Sequence, residues 1–186
     1  MSSSPPVTLP LLDLPTPPKV VVSRSVATDP HLPLTPRTIR RFWAQVIRGE
    51  GDRCWVWCGA ISHPDGYGRF TWQTGGMRRT VSAHRVALMI DQGGELGEGV
   101  IGEHGCCEPL CVRVDKAHLW PATQAENIAH AVKLGRHRGN IPVTGSHHRW
   151  QRSQMVRESV RGGWDEQAYQ LARQMIIVDE DQLALW

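Results

Sequence analysis

Cys106, Cys107, Cys111 and His118 fall within thirteen residues, with His104 just ahead of them. Thiolate and imidazole are the ligands that zinc prefers, and a tetrahedral site needs four of them. Cys106, Cys111 and His118 supply three from one short segment. Cys54 or Cys58, about fifty residues upstream, can supply the fourth. The alternative for these cysteines is a set of buried thiols in a reducing compartment. Five cysteines, an odd number, without a secretory leader argue against a disulfide framework. Clustering next to histidine favours metal.

Such ligands need elements to hold them. Trp55–Trp57 reads as a short strand, and Tyr67–Trp72 and Arg79–Ser82 as a hairpin turning at Thr74, Gly75 and Gly76. Ala83–Ile90 reads as a short helix capped by Ser82, with Val86, Ala87 and Ile90 on one face. Glycines between Gly93 and Gly105 bracket a brief strand at Val100 and Ile101. Thr123 and Glu126 form a capping box that starts a helix carrying Ile128, Ala129 and Val132 and ending at Gly135. A helix after Pro36 is expected to run through Arg40, Trp43 and Val46 to Gly49 or Gly51.

Residues 1–36 hold nine of the 13 prolines and show no helical period, so they read as a disordered or extended arm. Residues 37–138 read as the functional domain. Residues 139–186 read as a basic linker followed by one or two helices, the last capped by Asp165 and carrying Tyr169, Leu171 and Met175. No repeat is visible. No apolar run approaches the roughly 18–20 residues that span a bilayer, and a cytoplasmic, membrane-free protein is expected.

The chain has 186 residues, is 40% hydrophobic and carries a net charge of +3. That charge is unevenly spread. Lys133 to Arg161 contains seven basic residues and one acid, Glu158, and 18 of all 21 basic residues are arginine. Arginine suits planar, bidentate contact with phosphate. A phosphate-cradling G-x-x-x-x-G-K-[ST] loop is absent, and no second acid near Glu103 suggests a carboxylate-pair hydrolase.

Six short segments, in order, carry a family resemblance. They are Cys54–Trp57, Gly66–Phe70, Ala83–Ala87, Glu103–His104, the set Cys106, Cys111, His118 and Leu119, and Thr123–Asn127. The stretch from Cys54 to Asn127 resembles the HNH endonucleases of bacteriophages and mobile elements, and the related His-Cys box homing endonucleases. The resemblance implies an α+β chain with a ββα-metal fold, in which a two-stranded hairpin and a helix grip one catalytic divalent metal beside a structural zinc.

By that resemblance His104 is the general base, and Glu103, Asn127 and His130 are the ligands of Mg²⁺ or Mn²⁺. Arg79 or Arg85 neutralises charge on the leaving group. The zinc ligands become Cys54, Cys106, Cys111 and His118, with Cys58 and Cys107 as bystanders. Arg69, Arg136 and Arg138 are placed on double-stranded DNA. The segment from Cys111 to His118 is two residues longer than in relatives and lacks their Asn-Pro, leaving Asp115 to take over the orientation of the catalytic histidine. The expected activity is hydrolysis of DNA phosphodiesters, by nicking or, as a homodimer, by cutting both strands. Two further readings stand beside it: a DNA-binding protein that keeps the zinc fold without cutting, and a zinc module for protein interaction.

Overall fold

Gly75 and Gly76 both adopt positive φ, 60° and 79°, as a two-residue hairpin turn matched to strand twist demands. In the computed structural model, which describes residues 27–134 and 146–174, this turn joins β5 (Gly68–Thr74) to β6 (Met77–Ser82). The strands pair antiparallel from Arg69↔Ser82 to Thr74↔Met77. β4 (Ala60–Ile61) extends the sheet on one edge, and β1 (Ala27–Thr28) pairs parallel to β6 on the other. Leu32 is also buried. Ala27–Thr28, read from sequence as part of a disordered or extended arm, are therefore extended and close the sheet edge. Residues 1–26 lie outside the described residues.

The helix expected from Pro36 to Gly49 is shorter. α1 spans Pro36–Trp43, with Thr35 accepting from the Thr38 amide as its N-cap. Val46–Arg48 then forms β2, antiparallel to β3 (Trp55–Trp57). Pairing with β3 wins over helical continuation because it lets Val46 and Ile47 pack on the core. Phe42 stacks on Trp57 at 5.0 Å and meets Phe70 edge-on at 5.3 Å, which centres the core on aromatic rings.

α2 (Ala83–Asp91) follows β6 directly and buries Val86, Ala87, Leu88 and Met89. Ser82 stands at its N-cap but makes no side-chain cap bond; its hydroxyl accepts from Arg69 instead. The chain then forms a second hairpin, β7 (Val100–His104) and β8 (Leu119–Thr123), in register from Val100↔Thr123 to His104↔Leu119. α3 (Gln124–Lys133) starts at the expected capping box, with the Glu126 amide donating to Thr123 Oγ1 and the Thr123 amide to Glu126 Oε2. The described residues form a mixed α+β fold.

The C-terminal helices are not an appendage. α4 (Ser146–Val160) and α5 (Glu166–Gln174) bury Val156, Val160, Tyr169 and Ala172 in the same core as β3 and α2. The helical extension expected after residue 138 thus contributes to this core. Asp165 accepts from the Ala168 amide, as its capping role requires, whereas Leu171 is exposed and Met175 lies outside the described residues.

One buried carboxylate fastens these helices. Glu108 is fully buried and accepts from the Leu110 amide at 3.2 Å and from Arg152 on α4 at 3.2 Å, with Arg173 of α5 at 3.7 Å. Burial pushes its carboxyl up, and Arg152 opposes that shift. Glu108→Ala would leave two cations facing a hole, so we expect a loss of about 3–5 kcal/mol in urea unfolding. A loss under about 1 kcal/mol would show that the pair lies outside the cooperative core.

Candidate metal centre and adjoining cavity

Two loops meet at the zinc-type ligands. Cys54 precedes β3, where its carbonyl accepts from the Gly49 amide. The segment between β7 and β8 is stitched antiparallel to β3: Trp57 N–H donates to the Leu110 carbonyl, and Val112 N–H to the Trp55 carbonyl. This pairing sets Cys111 opposite Val56 and brings it beside Cys54. Cys106 and His118 close the group from the two ends of that segment.

The four donor atoms, three Sγ and one imidazole nitrogen, lie within 4.8 Å of one another. His118 Nδ1 stands 3.5 Å from Cys54 Sγ and 3.7 Å from Cys111 Sγ. A tetrahedron with metal–sulfur bonds of about 2.3 Å has edges of about 3.7 Å, so the spacing fits zinc. His118 Nε2 meets the Asp52 carbonyl at 2.6 Å, which assigns the proton to Nε2 and turns Nδ1 toward the thiols. Asp115 accepts from the amides of Ala117 and His118 and from Arg113. It thus shapes the turn that presents the zinc-type ligand His118. Its carboxylate bonds are to that turn and not to His104, the role foreseen for it.

The thiols titrate as an interlocked group. Hydrogen bonds from Cys106 and Cys111 hold Cys54 far below the usual thiol range. Cys106 is pushed up despite its bond to Cys111, because Cys54 and burial outweigh it, and Cys111 is pushed up by both neighbours. A Cys₃His group of this kind could hold a metal such as zinc, whose charge would stabilise all three thiolates. Cys58, bonded to the Val56 carbonyl, and exposed Cys107 stand outside it.

Beside this centre, a cavity of about 350 Å³ opens where β7 meets α3. Its lining includes Tyr67, Glu103, His104, Asn127 and His130. The capping box fixes where α3 begins, so Asn127 and His130, three apart, project together toward the end of β7. Glu103 is buried, and its Oε1 is in direct contact with His130 Nδ1. Carboxylate, amide and imidazole from two elements thus converge on one space.

His104 ends β7. Both its ring nitrogens are buried, and neither has a hydrogen-bond partner among the described residues. Burial is the main cause that lowers its pKa to about 4, so the ring is neutral at pH 7. A neutral imidazole can accept a proton, which is the property a general base needs.

The arginines are distributed differently from expectation. Arg79 pairs with both oxygens of Glu95 and donates to the Leu32 carbonyl. Arg85 donates to the Val100 carbonyl at 2.7 Å, and Arg69 to Ser82 Oγ and Asp65. None of the three is among the residues lining the cavity. Arg136 and Arg138 lie outside the described residues.

Two residues in the cavity region had no role assigned from sequence. Tyr67 lines it, and His84 meets His104 with ring centroids 5.2 Å apart. Both stand in short segments, Gly66–Phe70 and Ala83–Ala87, that only the fold brings to His104. Burial, reinforced by His104 and Arg85, lowers the His84 pKa to about 3. The unfolded chain binds a proton there below about pH 6.5. The unfolded state therefore takes up more protons in that window, and stability falls as pH drops through it. Substituting phenylalanine at His84 should remove up to about 1.4 kcal/mol per pH unit from that slope, read by urea unfolding at pH 6 and pH 5. An unchanged slope would mean that the folded ring protonates as readily as the unfolded one.

No family model matches the chain, and neither a curated protein nor a solved structure matches it at a significant level. Among the described residues no helix is long and apolar enough to cross a membrane.

Proposed function

We propose that this chain is a metal-dependent DNA endonuclease of the HNH type, with β7, β8 and α3 as its ββα-metal unit and the Cys₃His group as a structural zinc site. The observation that carries this reading is the convergence of Glu103, His104, Asn127 and His130 on one cavity at the hairpin–helix junction, beside the zinc-type ligands. Spacing alone does not require that meeting.

In this reading His104 removes a proton from the water that attacks the scissile phosphorus, and its neutral state at pH 7 leaves a nitrogen free for it. Glu103, Asn127 and His130 would hold Mg²⁺ or Mn²⁺, which when bound supplies charge stabilisation to the phosphate and the departing 3′ oxygen. The carboxylate and amide oxygens fit a hard divalent cation, with the imidazole as a borderline donor, whereas the thiol group fits zinc, so the two sites differ in ligand chemistry. Exposed arginines hold the DNA backbone, which makes affinity fall steeply with salt.

The engagement of Arg79 and Arg85 away from the cavity favours a second reading, a zinc-stabilised protein that binds DNA without cutting it. Incubating supercoiled plasmid with the full chain and Mg²⁺ or Mn²⁺ separates the two. Conversion to nicked or linear DNA that EDTA blocks supports the nuclease. Retarded but intact plasmid under both metals would overturn it in favour of binding alone.

A further inference from the structure

We propose that the groove between α1 and the outer end of β5 holds the sugar-phosphate backbone of double-stranded DNA, at a second place remote from the cavity; this rests on the nuclease reading above. The groove, about 460 Å³, is lined by Thr35, Arg37, Thr38, Arg41, Gln73 and Thr74, with no acid among them. Arg37, Arg40 and Arg41 stand three and four apart on α1, so they share one side of the helix, and all three are exposed. Three cations along one helix match a row of phosphates better than a single small anion. Tyr67 lines the cavity and Gln73 the groove, six residues apart along β5 and the residue before it, or about 20 Å. A duplex rises about 3.4 Å per base pair, so one duplex reaches both places about six base pairs apart.

The needs of the fold explain these charges poorly. Elsewhere arginines meet carboxylates: Arg79 meets Glu95, Arg113 meets Asp115 and Arg152 meets Glu108. Arg37 and Arg40 make no side-chain hydrogen bond or ion pair among the described residues. α1 itself contains no acid. Arg37 stands in the first turn, where the helix dipole opposes a cation, and forms a like-charge pair with Arg41 four residues on. Both features weaken the helix, and a local rule broken without gain to the fold points to function. Arg41 lies over the Phe70 ring at 4.9 Å and donates to the Thr71 carbonyl, which fixes one wall of the groove against the sheet edge. Guanidinium donors match phosphate oxygens in pairs, which suits this wall to a nucleic-acid backbone.

The test uses the full chain with Arg37→Ala and Arg37→Glu. Fluorescence anisotropy of a labelled DNA duplex of about 30 base pairs, without added divalent metal, reads affinity across a salt series. Arg37→Ala should lower the slope of log affinity against log salt by about 0.9 and weaken binding about 5–10-fold at 0.1 M salt. Arg37→Glu should weaken it further yet melt at or above the wild type, because an acid in the first turn, four residues ahead of Arg41, suits the helix. Wild-type affinity and salt slope in Arg37→Glu would overturn the proposal. So would a lowered melting temperature accompanying the lost affinity, which would assign Arg37 to the fold. Tighter binding of single-stranded RNA than of the duplex by the wild type would overturn the choice of DNA. If the wild type binds the duplex through Arg37 but leaves plasmid intact in Mg²⁺, the nuclease reading fails while the groove stands. If it nicks plasmid and both variants bind as the wild type does, the groove fails and the nuclease reading stands.

Discussion

His104→Ala should slow plasmid nicking in Mg²⁺ by about 10²–10⁴-fold, the usual contribution of a positioned acid or base, and leave zinc content at the wild-type level. The reason lies in what His104 does not do. Among the described residues its ring nitrogens bond to no other group, so truncation strands no partner and breaks no network there. Burial keeps the ring neutral, and it lies on the cavity where Glu103, Asn127 and His130 converge. A structural histidine in such a place would be expected to hold at least one hydrogen bond. The measurement pairs initial nicking rates with a thermal melt and metal analysis of both proteins. A variant that folds, holds zinc and still cuts within about three-fold of wild type would remove His104 from the chemistry. Asn127→Ala makes a useful companion, because loss of a metal ligand should be partly offset by raising Mg²⁺, whereas loss of the base should not.

The parts of the fold legible in the sequence were those written in local chemistry. Paired glycines specify a hairpin turn, and Thr123 with Glu126 specifies a helix start, because each acts within four residues. The zinc-type ligands were legible for a similar reason, since three of them sit in one segment; only the choice of Cys54 over Cys58 needed more than spacing. The misjudged pieces depend on distant partners. Val46–Arg48 is a strand only because Trp55–Trp57 lies alongside. Ala27–Thr28 is ordered only because β6 offers an open edge. α4 shows almost no one-sided apolar pattern, yet it is anchored through Val156, Val160 and the buried Glu108–Arg152 pair. The arginine roles were the least legible. A guanidinium takes whichever carbonyl or carboxylate the fold supplies, and for Arg79 that is Glu95, sixteen residues away.

Cys111→Ser should abolish zinc binding and with it the cooperative melt, the largest effect expected of any single substitution here. Cys111 is fully buried and sits opposite Val56, where the loop between β7 and β8 crosses the central strand. Its thiol is pushed up by neighbouring Cys106 and Cys54, and a cation at this position would favour the thiolate that zinc binds. Structural zinc contributes on the order of 10–16 kcal/mol in small zinc-folded peptides, comparable with the whole stability of an ordinary domain. Serine places a harder, weaker ligand in a site whose other three donors cannot close a tetrahedron alone. The loop would then be held mainly by its short pairing with β3, and the hairpin carrying Glu103 and His104 would lose its support. Cys58→Ser and Cys107→Ser serve as controls, since neither thiol belongs to the group, and both should keep one zinc and a wild-type melt. Metal analysis after exhaustive dialysis, with far-ultraviolet melting before and after a chelator, reads all three variants. If Cys111→Ser keeps one zinc per chain and melts with the wild type, the four-ligand assignment is wrong. If it loses zinc yet melts unchanged, the metal is present but does not hold the fold, and the packing of Leu110, Val112 and Leu119 must hold the loop instead.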